Sequence, residues 1–96
     1  MTKAVFTTEA EQDLGRIVDF IARNSVLAAL SWLQEMRAVC DLIATQPGIG
    51  QPMQTARFGD VRRHVAGNYL IYYQSNGAAV CIVRVVHGTR EQDRLI

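Results

Sequence analysis

Hydrophobic residues are densest near the end of the chain, over residues 80–90 (VCIVRVVHGTR). Apolar and β-branched side chains surround one arginine there, which is typical of a strand buried on both sides. Alternation along a strand predicts two faces. The first holds Val80, Ile82, Arg84 and Val86, and the second holds Cys81, Val83, Val85 and His87. Both faces are apolar, so each of them needs a cover.

Two helices are predicted before this strand. Thr8 precedes Glu11 at the spacing of a capping box, so we expect the first helix to begin there. Its apolar residues recur at helical spacing, at Ala10, Leu14, Ile17 and Ile21. Ser25 is expected to cap a second helix, which should end before Pro47. The link between the helices is very short, which predicts an antiparallel helical hairpin.

Three strands follow a predicted loop over residues 46–54, where two prolines and two glycines disfavour regular structure. The strands cover residues 58–66, 69–74 and the stretch that begins at Val80, with tight turns at Gly67-Asn68 and Asn76-Gly77. Residues 3–7 are also β-prone and should extend the sheet. The predicted order is β-α-α-β-β-β. It describes one α+β domain over residues 1–96, in which a small antiparallel sheet packs on the helical hairpin.

The sheet has more apolar surface than the two helices are expected to cover. One face should pack on the hairpin, and the other should display apolar side chains with arginines among them. Exposed apolar surface of this kind marks a site for a partner. The sequence therefore predicts a partner over the open face of the sheet.

Composition narrows the class of partner. The net charge is only +1, and the chain contains one lysine and nine arginines. The concentrated basic stripe that is typical of a nucleic-acid binder is absent from the sequence. No apolar run is long enough to span a bilayer, and a cytoplasmic protein is expected. Cys40 and Cys81 are expected to be buried thiols. No metal site is predicted, because the cysteines and histidines lack ligand spacing. No cofactor site is predicted either, since Gly48 and Gly50 do not match a phosphate-binding loop.

The ordered set of motifs resembles the ParE/RelE superfamily of toxins from type II toxin–antitoxin modules. The resemblance is carried by Ala10-x-x-Asp13-Leu14-x-x-Ile17, Pro47-Gly48-Ile49-Gly50, Val61-Arg62-Arg63, Tyr69-Leu70-Ile71-Tyr72-Tyr73 and residues 82–90. It implies a cognate antitoxin, ParD-like or similar, whose C-terminal segment would cover the open face and often adds a strand to the sheet edge. Contact with DNA would then be indirect, through the antitoxin.

The superfamily has two branches with different targets. RelE-like members cleave messenger RNA on the ribosome, whereas ParE-like members are generally held to inhibit DNA gyrase. The RNA-cleaving branch uses clustered lysines and arginines, commonly with a tyrosine or histidine near the C-terminus. This sequence has no lysine after Lys3 and no tyrosine after Tyr73, which favours the ParE-like branch and gyrase as the target. The alternatives are a ribosome-dependent endoribonuclease and a non-toxic protein that binds its antitoxin and tunes transcription.

The resemblance implies a binding surface for the antitoxin or the target. Its expected residues are Arg62, Arg63, Tyr72, Arg84, His87 and Arg90. If the chain were a ribonuclease, the catalytic candidates would be Arg62, Arg84, His87 and Arg90. Arg84 and His87 are separated by an odd number of residues, so a regular strand points them to opposite faces.

A buried arginine is unfavourable unless it is paired. Arg62 and Arg84 could therefore each pair with Asp13, with Glu9 or with a carboxylate of the antitoxin. His87 has three readings: a structural residue at the strand end, a partner contact, or a general acid.

Overall fold

A computed structural model describes residues 3–77 and 79–89 of the chain. The elements are β1 (Ala4–Phe6), α1 (Thr8–Ala22), α2 (Val26–Thr45), a 3-10 helix (Pro47–Ile49), β2 (Gln51–Thr55), β3 (Gly59–Ala66), β4 (Tyr69–Ser75) and β5 (Val80–His87). The strands form one mixed sheet in the order β1-β5-β4-β3-β2, in which β1 runs parallel to β5 and the other neighbours are antiparallel. The predicted α+β layout is confirmed, with one strand more than expected.

Both helices begin with a hydroxyl cap, but the first cap lies one residue earlier than predicted. The Oγ1 atom of Thr7, not Thr8, accepts the backbone N–H of Ala10 at 3.0 Å. Thr7 also continues the pairing with β5, because its own N–H donates to the carbonyl of Ile82 at 3.0 Å. This bond fixes an extended backbone at Thr7, which is the conformation that a cap requires. Ser25 caps α2 as predicted.

The prediction of a loop throughout residues 46–54 is wrong. Residues 47–49 form a 3-10 helix, and Gln51–Thr55 pairs with β3 as an edge strand. Pro52 is tolerated in this strand because β2 has a neighbour on one side only, so the missing N–H can face solvent. The strand β3 begins at Gly59, one residue later than predicted, and Gly59 has a φ of 69° that favours glycine.

A bulge in β5 changes which side chains share a face. Tyr73 pairs with Ile82 and Tyr72 pairs with Arg84, which leaves Val83 as an extra residue. The regular alternation predicted for β5 is therefore wrong beyond Ile82: Val85 faces the helices, and Val86 belongs to the other side of the sheet.

The side of the sheet that meets the helices, here called the helix-side face, forms the larger core. Its buried members are Ala10 and Leu14 of α1, Met36, Cys40, Ile43 and Ala44 of α2, and Ile71, Tyr73, Val80, Ile82 and Val85 of the sheet. Both cysteines are free thiols: Cys40 is buried, whereas Cys81 is only partly buried. Within residues 3–77 and 79–89, no helix is both long and apolar enough to cross a membrane.

The opposite side of the sheet, here called the second face, has its own buried cluster. Its members are Val61, Leu70, Tyr72, Val83 and Val86, with Met53, Phe58 and Cys81 packed against them. The relative exposure of Tyr72 is 0% and that of Val83 is 2%. The prediction of a bare apolar face is therefore wrong for these residues.

The β2–β3 hairpin contributes to this burial by bending towards the other edge of the sheet. Phe58, in the hairpin turn, packs on the second-face cluster. Next to it, Arg57 reaches Glu9 at the start of α1, with Nη2 2.6 Å from Oε1. α1 directly follows β1 at the opposite edge, so the sheet curls over its own second face. Both side chains of this ion pair are well exposed, so the pair itself adds little stability.

Asp13 joins α1 to the edge of β5 where β1 has ended. Its Oδ2 atom accepts the backbone N–H of Val85 at 3.0 Å and the Nε atom of Arg84 at 2.7 Å. Its Oδ1 atom accepts Nη2 of Arg84 at 3.0 Å and Nη2 of Arg16 at 2.7 Å. The side chain is only 3% exposed, so these contacts replace the water that the carboxylate loses on folding.

Tyr73 fixes the segment between α2 and β2. Its hydroxyl donates to the carbonyl of Pro47 at 2.7 Å and accepts the N–H of Gly50 at 2.8 Å. A Cβ at Gly50 would lie 2.6 Å from this hydroxyl, so only glycine allows the approach. Gly50 is thus required by close packing and not by a turn conformation, since its φ is −80°.

Replacing Asp13 by asparagine should lower the free energy of unfolding by about 3 kcal/mol, because it leaves the buried Arg84 without a charged acceptor. Urea unfolding measures the loss as a shift of the midpoint at unchanged slope. Asp19→Asn, on the exposed side of α1, is the matched control and should change stability by less than about 0.5 kcal/mol. Equal midpoints for the two variants would show that Asp13 does not anchor α1.

Gly50→Ala should destabilise the fold by about 1–3 kcal/mol, because its Cβ would press against the buried ring and hydroxyl of Tyr73. Gly48→Ala is the control, since nothing lies within 4 Å of a Cβ at that position. The control should match or slightly exceed the wild type in thermal unfolding. The explanation fails if the two alanine variants melt together.

The two thiols should react at different rates. Burial raises the pKa of the Cys40 thiol from 9.0 to about 12, and the carboxylate of Asp41 adds to this shift. Because the folded pKa exceeds the unfolded one, the stability linked to the neutral thiol is full below pH 9 and declines as the pH rises towards 12. Alkylation at pH 8, followed by mass spectrometry, should modify Cys81 first and Cys40 only after denaturant is added. Rapid alkylation of Cys40 in the Cys81→Ser variant would contradict this assignment.

Candidate partner-binding site

The guanidinium of Arg84 is committed to an internal partner. It forms a bidentate contact with Asp13 and is 11% exposed. The hydrogen bond to Asp13 raises the pKa of Arg84 above its ordinary value, so the group keeps its charge. Of the three partners that the sequence left open for this arginine, Asp13 is the one that binds it in the structure.

Arg62 is also held by the chain itself. Its Nη1 atom donates to the carbonyl of Gly50 at 2.6 Å, with a longer contact of 3.4 Å to the carbonyl of Gly48. Arg62 lies opposite Tyr73 in the sheet register, so the two side chains together hold the 3-10 segment. Sequence periodicity could not reveal this role, because the acceptors are backbone carbonyls of a distant loop.

Arg63 differs from Arg62 and Arg84 in having few hydrogen-bond acceptors. Its Nη2 atom makes one long contact of 3.4 Å, to the exposed side chain of Gln51. Its Nε atom is buried and has no hydrogen-bond acceptor. None of the ion pairs among the described residues includes Arg63. The fold therefore leaves most of the hydrogen-bonding capacity of Arg63 unused.

The sheet register places four side chains in one row on the second face, those of Gln51, Arg63, Tyr72 and Arg84. Gln51 lies opposite Arg63, Arg63 opposite Tyr72, and Tyr72 opposite Arg84. We call this set the arginine row. Arg62 is not part of it, because its register partners are Pro52 and Tyr73, and Tyr73 lies on the helix-side face.

His87 lies at the end of β5 and away from the arginine row. It pairs with Tyr69, and the centroids of the two rings are 5.1 Å apart in an edge-to-face arrangement. Its Nδ1 atom accepts the backbone N–H of Thr89 at 3.2 Å and lies 2.7 Å from the Thr89 hydroxyl. The bulge at Val83 precedes both Arg84 and His87, so it does not bring them together. Arg90 lies outside the described residues.

Exposed large apolar side chains are more numerous on the helical hairpin than on the sheet. Phe20 near the end of α1 and Val26, Leu27 and Leu30 at the start of α2 are between 51% and 78% exposed. On the second face, β3 still presents Val65, which is 60% exposed. The prediction that the open sheet face carries the exposed apolar surface is only partly right, because most of this face is covered and more exposed apolar side chains lie on the hairpin.

The comparisons with known proteins agree with this fold. A model of the ParE toxin of the type II toxin–antitoxin system parDE matches residues 4–92. Toxin ParE1 of Caulobacter vibrioides is 37% identical over 65 residues, which are 68% of this chain and 66% of that relative. A solved structure of the chromosomal ParDE TA system from P. aeruginosa covers 91% of this chain and 96% of its own, with a TM-score of 0.74. At 20% identity this last likeness shows the fold alone.

The family model spans residues 4–92, which is nearly the whole chain, and the sequence relative is matched over 68% of this chain. The chain therefore belongs to the ParE toxins of type II toxin–antitoxin systems.

Proposed function

We propose that this chain inhibits DNA gyrase and that a cognate antitoxin holds it inactive. The observation that carries the proposal is the match to the ParE family over residues 4–92. Inhibition of a large enzyme requires a binding surface and no catalytic group of the toxin's own. The proposal places the protein in the cytoplasm, where gyrase and its DNA are found.

The placement of the arginines favours inhibition over RNA cleavage. Cleavage at a ribose requires groups that activate the 2′-hydroxyl, stabilise the phosphate charge and protonate the leaving oxygen, all at one point. Arg62 and Arg84 are bound to internal acceptors, and they lie opposite Tyr73 and Tyr72, which belong to different faces of the sheet. His87 lies at the strand end, beside Tyr69. These three residues do not share a site.

The antitoxin is the expected protein partner, and contact with DNA is expected mainly through it. The net charge of +1 gives the toxin little long-range attraction to a nucleic acid. A small acidic reading frame beside the gene for this chain is the expected source of the antitoxin.

Purified toxin should block the supercoiling of relaxed plasmid by gyrase and should increase the amount of cleaved plasmid. The measurement is gel electrophoresis of the plasmid, with topoisomerase I as the enzyme control. Prior addition of the antitoxin should restore supercoiling. Unimpaired supercoiling at a stoichiometric excess of toxin over gyrase would rule out the proposal.

Expression in cells separates the remaining alternatives. Expression without the antitoxin should stop growth and induce the DNA damage response, while translated messages stay intact in primer extension. Codon-specific cuts that disappear in Arg62→Ala or Arg84→Ala would instead indicate a ribonuclease. Normal growth would favour a protein that only binds its antitoxin.

A further inference from the structure

Arg62 and Arg63 of β3 and Arg84 of β5 lie in similar sequence surroundings, but the structure provides them with unequal hydrogen-bond acceptors. Arg84 has a bidentate carboxylate and Arg62 has a backbone carbonyl at 2.6 Å. Arg63 has one contact at 3.4 Å, which is too long for a strong hydrogen bond. A partly buried guanidinium with so few acceptors is unfavourable in the isolated chain.

Nε and Nη2 of Arg63, which lack a good acceptor, lie on one edge of its guanidinium. Nε and Nη2 point in nearly the same direction, and this pair matches the two oxygens of a carboxylate. Gln51, the neighbour along this edge, is exposed and loosely held, so its side chain can move aside for a ligand. Phosphate has the same geometric fit, but a phosphate backbone would need further cations nearby. Arg84, the nearest cation in the row, is already neutralised by Asp13.

The surroundings of Arg63 fit a peptide and not a small ion. Tyr72 lies beside it in the row with no exposed surface, and Val65, two residues further along the same face of β3, is 60% exposed. A peptide that carries one acidic and one apolar side chain would satisfy the guanidinium and cover the valine together.

We propose that Arg63 receives an aspartate or glutamate of the antitoxin through Nε and Nη2, with the adjoining apolar residue of the antitoxin over Val65. This inference rests on the proposed function, because it requires that an antitoxin binds this chain. It also separates the predicted site residues: Arg63 binds the partner, whereas Arg62 and Arg84 maintain the fold.

The test compares variants of the full-length chain in binding to the antitoxin encoded beside it. Arg63→Gln should weaken binding about 10- to 100-fold, because a hydrogen-bonded charge pair is lost. Arg63→Lys keeps the charge but loses the paired donors, so it should recover only part of the affinity. Arg23→Gln removes an exposed charge on the helical hairpin and should bind like the wild type.

A double-mutant cycle identifies the carboxylate. Each aspartate and glutamate in the C-terminal segment of the antitoxin is changed to its amide in turn. One of these changes should weaken binding by a similar factor and have no further effect on Arg63→Gln. Strictly additive effects for every acidic residue would overturn the proposal.

The stability of each variant is measured by urea unfolding on the same samples. Arg63→Gln should keep the urea midpoint of the wild type and the apolar variant Arg63→Met should match or exceed it, because the fold gives this side chain no strong acceptor. A large fall in both midpoints would show a structural role and overturn the assignment.

The outcomes distinguish this inference from the proposed function. If the wild-type chain neither binds the antitoxin nor inhibits gyrase, the proposed function fails. If the wild type does both and Arg63→Gln binds the antitoxin within about twofold of it, only the carboxylate assignment fails. If Arg63→Gln loses gyrase inhibition but keeps its affinity for the antitoxin, Arg63 belongs to the target surface and the assignment is wrong.

Discussion

The contact between Asp13 and the edge of β5 determines how the two layers of this protein meet. The strand β1 covers only the first residues of β5, so the N–H of Val85 would lack a backbone acceptor from a neighbouring strand. Asp13 supplies that acceptor and also binds Arg84, which would otherwise be a buried charge. A single carboxylate therefore ends the sheet, orients α1 along it and makes an arginine tolerable inside an apolar strand.

Local signals were sufficient to predict most of the elements. Hydroxyl caps, the short link between the helices and the turn at Gly67-Asn68 each act over a few residues, and the structure contains them. The two-residue turn predicted at Asn76-Gly77 is wrong, because Ser75 pairs with Val80 and the connection is four residues long. The errors arise where a distant contact decides the local structure. Thr7 became the cap because it pairs with Ile82, and Pro52 lies in a strand because β3 provides a template on one side.

The sequence could predict which residues belong to the candidate site, but it could not predict the role of each residue. An arginine in an apolar strand indicates that some acceptor exists, yet its identity depends on elements far away in sequence. Asp13 is 71 residues from Arg84, and the carbonyl that binds Arg62 is 12 residues from it. The bulge at Val83 has no distinct signal among so many valines, and it reverses the face of each later residue in β5. The curl of the sheet depends on these features together, so the burial of the second face could not be foreseen.

The proline at position 52 limits how this protein can associate with other chains. An outer strand with all its amide hydrogens could recruit extended peptides of nearly any sequence, including further copies of itself. Here β2, the strand at one edge of the sheet, lacks one amide hydrogen at Pro52. At the other edge, Asp13 covers the part of β5 that extends beyond β1. Hydrogen bonding of an added peptide strand to the sheet backbone is thereby weakened at both edges of the sheet. Selection among extended peptides at these edges then depends on the chemistry of their side chains.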